Sequence, residues 1–277
     1  GSYNEAVDFG SKDLVIQGDA SDPSSVVLDG DGLTTSVVSI VNGQGASSML
    51  VGLTIRNGHV GSPMPGQPFN RVGGGLFVNE SSPTIQSCVF DSNISGFGGA
   101  VGLRMSGASF EDCDFVSNTA TSDGGGVFAL DSTGRMASCS FSGNTATNHG
   151  GGVKIVRGEF SVVETSFVGN IAFEGGGLFW FPDEDSLSLP VIGCIITGNT
   201  AAEVGGGIKA RNGYPAVLIS DSRVCDNLPD QVAGNIEDDG TNCVFVSCAD
   251  SDGDGTLDCN DGCPDDPNKI EPGNCGC

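Results

Sequence analysis

Gly124-Gly125-Gly126-Val127-Phe128-Ala129, then Phe141-Ser142-Gly143-Asn144, then Gly150-Gly151-Gly152-Val153-Lys154-Ile155: this stretch decides the fold, because both of its motifs recur in phase on either side. Gly triplets start at residues 73, 124, 150, 175 and 205, with the altered copy Gly98-Gly99-Ala100, giving steps of 25, 26, 26, 25 and 30 residues. The second motif is Phe90-x-x-Asn93, repeated from Phe115, Phe141, Phe167, Ile196 and Val224 to Asn118, Asn144, Asn170, Asn199 and Asn227. Each period holds short alternating stretches separated by Gly, Asn, Ser and Asp, and no 3.6-residue pattern long enough for a helix. Such a unit cannot bury a face alone. It gains a core only by stacking on its neighbours, strand on strand, at roughly 4.8 Å per coil. The expected fold is therefore all-β, a parallel β-helix over residues 1–240 with about 25 residues per coil, followed by a small Cys/Asp-rich tail over 241–277. Leu14-Val15-Ile16, Val26-Val27-Leu28, Val37–Ile40 and Leu53–Gly58 read as strands of earlier, less regular coils.

Composition excludes several functions. The 277 residues include 45 Gly and carry a net charge of −24, which argues against nucleic acid or an anionic membrane surface as partner. No apolar run is long enough to span a bilayer as a helix. Charged residues at 17% are too few for a disordered chain. Of eleven cysteines, seven (Cys225, Cys243, Cys248, Cys259, Cys263, Cys275 and Cys277) fall in the last 53 residues. That clustering points to disulfides and an exported protein, extracellular or cell-surface, whose signal has been removed. Zinc is the rival reading of Cys259-x-x-x-Cys263 and Cys275-Gly276-Cys277.

The paired Gly-Gly-Gly-aliphatic and Phe-x-x-Asn motifs resemble the repeats of polymorphic outer-membrane proteins of bacteria. More broadly, residues 1 to 240 resemble right-handed parallel β-helices of the pectate-lyase-like superfamily. The resemblance implies a fold rather than a chemistry, since enzymes, adhesins and passive scaffolds all use it.

Alternation after each triplet sends Leu76/Val78, Val101/Leu103, Val127/Ala129, Val153/Ile155, Leu178/Trp180 and Ile208/Ala210 inward. The opposite phase would bury Lys154 and Lys209. Phe77, Gly102, Phe128, Lys154, Phe179 and Lys209 then form an outward stripe. It reads as a docking surface for a glycan or another protein, or as a stripe covered by the Pro-rich segment 61–70. The Asn series reads as an internal ladder that satisfies turn backbone. Cys88, Cys113, Cys139 and Cys194 share one coil position and read as a column of buried thiols, with a cross-coil disulfide as the alternative.

Catalysis finds little support. The resembled lyases would need clustered carboxylates and a basic residue on one strand face, and the related hydrolases paired Asp residues beside a His. Arg104, Lys154, Arg157, Lys209 and Arg211 have no evident Asp partners at one-coil offsets, and Asp183-Glu184-Asp185 reads as a solvated loop. An acidic polysaccharide substrate would also meet the charge of −24.

In the tail, seven Asp and one Glu stand against Lys269. The spacing Asp250-x-Asp252-x-Asp254-Gly255-Thr256-x-Asp258-x-x-Asp261 lets a loop wrap oxygens around calcium, with Thr256 offering its carbonyl. This stretch is similar to a thrombospondin type 3 calcium repeat and to an EF-hand loop, departing from the latter with Asp261 in place of Glu and with no flanking helices. At the other end, Gly1-Ser2-Tyr3-Asn4-Glu5 resembles the turn that follows the first strand of a coil, so that strand is expected to be missing. An uncapped end suggests head-to-tail self-association into a filament. The function expected is a non-catalytic extracellular structural or adhesive solenoid, with a surface glycan or a second copy as partner and calcium as cofactor. A carbohydrate-binding module or a polysaccharide lyase or hydrolase is the alternative.

Overall fold

The computed structural model describes residues 1–61, 72–254, 256, 258, 263 and 265–268. The chain forms a parallel β-solenoid of about 26 residues per turn and about nine turns. One ladder of ten strands runs from Ser2–Tyr3 through Val89–Asp91, Asp114–Val116, Ser140–Ser142 and Ser166–Val168 to Cys243–Val244. A second follows the Gly triplets: Leu76–Asn79, Val101–Arg104, Val127–Ala137, Val153–Val163, Leu178–Phe181 and Ile208–Ala210. A short ladder of five strands, Ile94–Phe97 to Thr200–Val204, precedes the triplets.

Register holds from coil to coil because every coil repeats the same side-chain layer. Phe90, Phe115, Phe141 and Phe167 pair in sequence and stack face to face, with centroids 5.1, 4.3 and 4.9 Å apart. Beside them the inward aliphatics after each triplet are fully buried. The Asn ladder closes the turns. Asn144 Nδ2 donates to Phe115 O and to Asn170 Oδ1, both at 2.9 Å, while its own Oδ1 accepts the backbone and side-chain amides of Asn118. The Gly triplets let turns stack without side chains, and a Cβ on Gly125 would strike the Gly151 carbonyl.

Cys88, Cys113, Cys139 and Cys194 are buried free thiols. Each Sγ donates to the carbonyl two residues earlier, at 3.3–3.4 Å. Thr165 and Ser222 make the same bond from the same position at 2.9 and 2.8 Å. A small side chain that donates back to its own strand end is what the position selects.

One expectation is corrected. The first coil does not lack its strand: Ser2–Tyr3 pairs with Val27–Leu28 in the ten-stranded ladder. At the other end of the ladder, Cys243–Val244 pairs with Arg223–Val224. Cys225 and Cys248 form a disulfide with Cα atoms 5.4 Å apart, pinning the tail to the last coils. Cys243 and Cys263 are disulfide-bonded as well. Cys259, Cys275 and Cys277 lie outside the described residues.

Candidate functional site

The residue before each Gly triplet either ends a strand of the short ladder, as Phe97, Asp123, Glu174 and Val204 do, or bridges to it, as Val72 and His149 do. On successive coils this position carries Val72, Phe97, Asp123, His149, Glu174 and Val204. Val72 bridges to Phe97, Phe97 pairs with Asp123, His149 bridges to Glu174, and Glu174 pairs with Val204. These side chains stand as a ridge along the solenoid. Next to it runs the expected stripe, in the expected register: Phe77, Gly102, Phe128, Lys154, Phe179 and Lys209. A second outward row carries Leu130, Val156 and Phe181.

The stripe points out of the sheet but is not open to solvent. Phe128, Lys154 and Phe179 are only 3, 8 and 4% exposed, whereas Phe77 and Lys209 are partly exposed. The ridge covers them. Phe97 packs on Phe128 with centroids 5.0 Å apart, the His149 ring lies 4.7 Å from Phe179, and the Lys154 ammonium sits 5.2 Å over the Phe179 ring. The Pro-rich segment weighed as a cover falls largely outside the described residues, at 62–71.

Polar groups converge at the ridge. Asp123 Oδ1 lies 2.7 Å from His149 Nδ1 and 3.0 Å from Lys154 Nζ. An ionised carboxylate only accepts, so His149 carries its proton on Nδ1 and donates it to Asp123. The 3.1 Å approach of Lys154 Nζ to the same Nδ1 is then two donors meeting at one oxygen. His149 Nε2 is left facing Glu174 Oε2 at 3.6 Å. Burial pushes the Asp123 carboxyl upward, but the His149 hydrogen bond and the Lys154 charge outweigh it and hold the group below the usual carboxylate range. Burial also lowers the Lys154 ammonium, and Asp123 and Glu174 only partly offset this. The buried ammonium thus loses more hydration than its partners return. Ridge, stripe and second row enclose a groove of about 470 Å³.

The expectation that no base finds an Asp partner is corrected on two counts. Lys154 pairs with Asp123 across the ridge, and Arg157 donates to Asp131 one coil back, at 2.8 Å. Sequence reasoning missed Asp123, His149 and Glu174 because it aligned the repeats on the triplet and its following strand. Writing one more residue to the left would have placed the three on consecutive coils.

In the tail, carboxylate oxygens of Asp250, Asp252 and Asp254 lie within 4.8 Å of one another. Asp254 Oδ1 accepts the Thr256 amide at 2.7 Å. Asp258 turns to Ser251, accepting its amide at 2.8 Å and its hydroxyl at 2.7 Å. Asp261 lies outside the described residues. The three neighbouring carboxylates fit a hard cation, which oxygen donors of this kind prefer.

Residues 138–155 match the Chlamydia polymorphic membrane protein repeat. The matched stretch holds Cys139, Phe141, Asn144, His149, the 150–152 triplet and Lys154, and the tail lies outside it. No curated protein and no solved structure matches the chain. Among the described residues no helix is long and apolar enough to cross a membrane. A β-solenoid carrying this repeat points to a bacterial surface protein of structural type.

Proposed function

We propose that this chain is a non-catalytic extracellular solenoid that works as a rigid adhesive or structural rod at a bacterial surface and engages a surface glycan along its flank. The observation that supports this best is the unbroken ten-strand ladder from Ser2 to Val244, with a Phe layer through four successive coils and an Asn ladder from Asn93 to Asn227. Its stiffness comes from backbone pairing rather than from a hinge-prone set of loops. The Cys225–Cys248 disulfide supports export, because such bonds persist in oxidising compartments.

The same reading includes calcium in the tail, held by Asp250, Asp252 and Asp254 with Thr256, Asp258 and Asp261, and end-to-end association of copies into filaments. The close approach of the first three carboxylates favours the calcium part. Electron microscopy of the purified protein, with calcium and after chelation, tests the whole. Single coils stack at roughly 4.8 Å, so isolated rods of roughly 40 Å are the unit expected. Calcium-dependent filaments built of that unit support self-association, whereas isolated rods under both conditions overturn it. Calorimetric titration with calcium tests the tail directly: heat that survives Asp252→Asn and Asp254→Asn removes the site.

A further inference from the structure

The groove beside the triplets has two unlike long sides. Asp123, His149 and Glu174 line one, a residue per coil; Leu130, Val156 and Phe181 line the other, again a residue per coil. Three coils make two steps along the axis, roughly 10 Å. The members a ligand can reach are partly open: the His149 and Glu174 side chains are 32 and 22% exposed, and Phe181 is 37% exposed.

We infer that this groove is a binding site for an uncharged linear oligosaccharide, laid along the solenoid axis with its hydroxyl edge on the ridge and its ring faces on the apolar row. The inference rests on the reading of the chain as a glycan-engaging surface rod, and narrows it to a ligand class and a set of residues. A pyranose is itself two-sided, with apolar C–H faces and a polar edge, and the groove repeats that division. Its ridge offers the partly open Glu174 carboxylate as an acceptor beside the His149 imidazole, whose Nε2 is left for a hydroxyl to donate to, which suits groups that both donate and accept. Few convergent polar groups above an apolar floor is the usual make-up of a small-ligand site.

Charge selects against the alternatives. An acidic polymer would bring its carboxylates against Asp123 and Glu174 on a chain of net charge −24, and Lys154 is already engaged by Asp123. A basic polymer would be drawn by the net charge, but to lie in the groove it would have to strip water from its ammonium groups over the apolar row, beside the Arg211 guanidinium that already sits 4.5 Å over the Phe181 ring. An uncharged chain meets neither the repulsion nor the desolvation cost.

Isothermal titration of the full chain tests this with five probes: cellotriose, maltotriose and the N-acetylglucosamine trimer as neutral trisaccharides, trigalacturonate as the acidic one, and the unacetylated glucosamine trimer as the basic one. One or more neutral probes saturates the protein, and the charged probes bind at least about tenfold more weakly. Glu174→Gln and Phe181→Ala each weaken the neutral ligand by about tenfold. Ile195→Ala, an exposed position on the ten-stranded ladder, leaves it unchanged. All three side chains are partly exposed, and the circular dichroism of each variant confirms the fold before titration. The inference is overturned if no neutral probe binds at about millimolar concentration, if trigalacturonate binds best, or if both groove variants bind like the parent. Rods seen by microscopy without sugar binding sink this inference alone, because the scaffold reading is tested by imaging and needs no ligand.

Discussion

One oxygen of Asp123 serves both His149 and Lys154: Oδ1 is 2.7 Å from the imidazole Nδ1 and 3.0 Å from the ammonium. The three residues sit on adjacent coils, so this atom ties two turns of the solenoid together outside the backbone ladder. The side chains of Asp123 and Lys154 are 11 and 10% exposed, which removes most solvent screening.

Replacing Asp123 by Ala leaves the Lys154 ammonium buried without its partner. We expect a loss of about 3 kcal/mol in unfolding free energy, measured by urea denaturation. Pairing Asp123→Leu with Lys154→Met removes both charges and recovers much of that loss. A double variant no better than the single one contradicts the assignment of the pair.

Acid destabilises the fold through depressed carboxylates. Burial opposes ionisation at Asp29 and Asp123, but Asn57 and Arg56 at the first, and His149 and Lys154 at the second, hold both folded values below the unfolded one. Their contribution is fully present above about pH 4 and is lost as pH falls through the lower folded values. Lys154 runs the other way: its folded value is lowered, so the cost of burying its charge is relieved only as pH rises into the alkaline range. As far as these two carboxylates go, the thermal midpoint should hold from neutrality to about pH 4 and fall below it. A midpoint that stays level down to about pH 2 counts against these pairs.

The Asn ladder is a second place where one side chain matters to several coils. Asn144→Ala removes bonds to Phe115 O, Asn170 Oδ1 and both amides of Asn118, in a fully buried site. Leaving buried amides unpaired costs about 1–3 kcal/mol each. The variant should lose at least about 3 kcal/mol or unfold in two separate steps, as a solenoid does when one interface weakens. Calorimetry that shows a single transition at the parental temperature would refute this.

Thiol chemistry separates core from tail. Burial pushes the Cys88 and Cys194 thiols up to about 11, and Cys113 and Cys139 lie in the same buried column. In native protein at about pH 8, a thiol reagent should label none of these four until denaturant is added. Mild reduction opens Cys225–Cys248 and makes the tail sensitive to protease while the far-ultraviolet spectrum of the solenoid is unchanged. Rapid native labelling of Cys113 or Cys139 would show the column to be open.

The period, the inward rows, the Asn ladder and the column of buried thiols at Cys88, Cys113, Cys139 and Cys194 were all legible in the sequence. Each is fixed by its own repeat: a side chain that stacks on copies of itself has an environment that the linear order already contains. Leu76/Val78 and Leu178/Trp180 are buried for the reason the alternation gave. The first strand was misjudged because Gly1–Tyr3 carries neither repeat motif, and only its partners Val27–Leu28 reveal it as a strand.

Outward positions obey a different rule. Alternation tells which way Phe128, Lys154 and Phe179 point, but their exposure depends on what leans over them from another ladder. Phe97 and Asp123 end strands that enter the turn before the triplet, His149 bridges to Glu174 at the same place, and the path of that turn brings them across the stripe. The sequence by itself determined a stacked β-solenoid with a repeating interior. Only the tertiary structure decided that its aromatic stripe would be roofed and its acidic, basic and imidazole groups gathered into one groove, because contacts between different ladders are set by turn geometry in space and not by period.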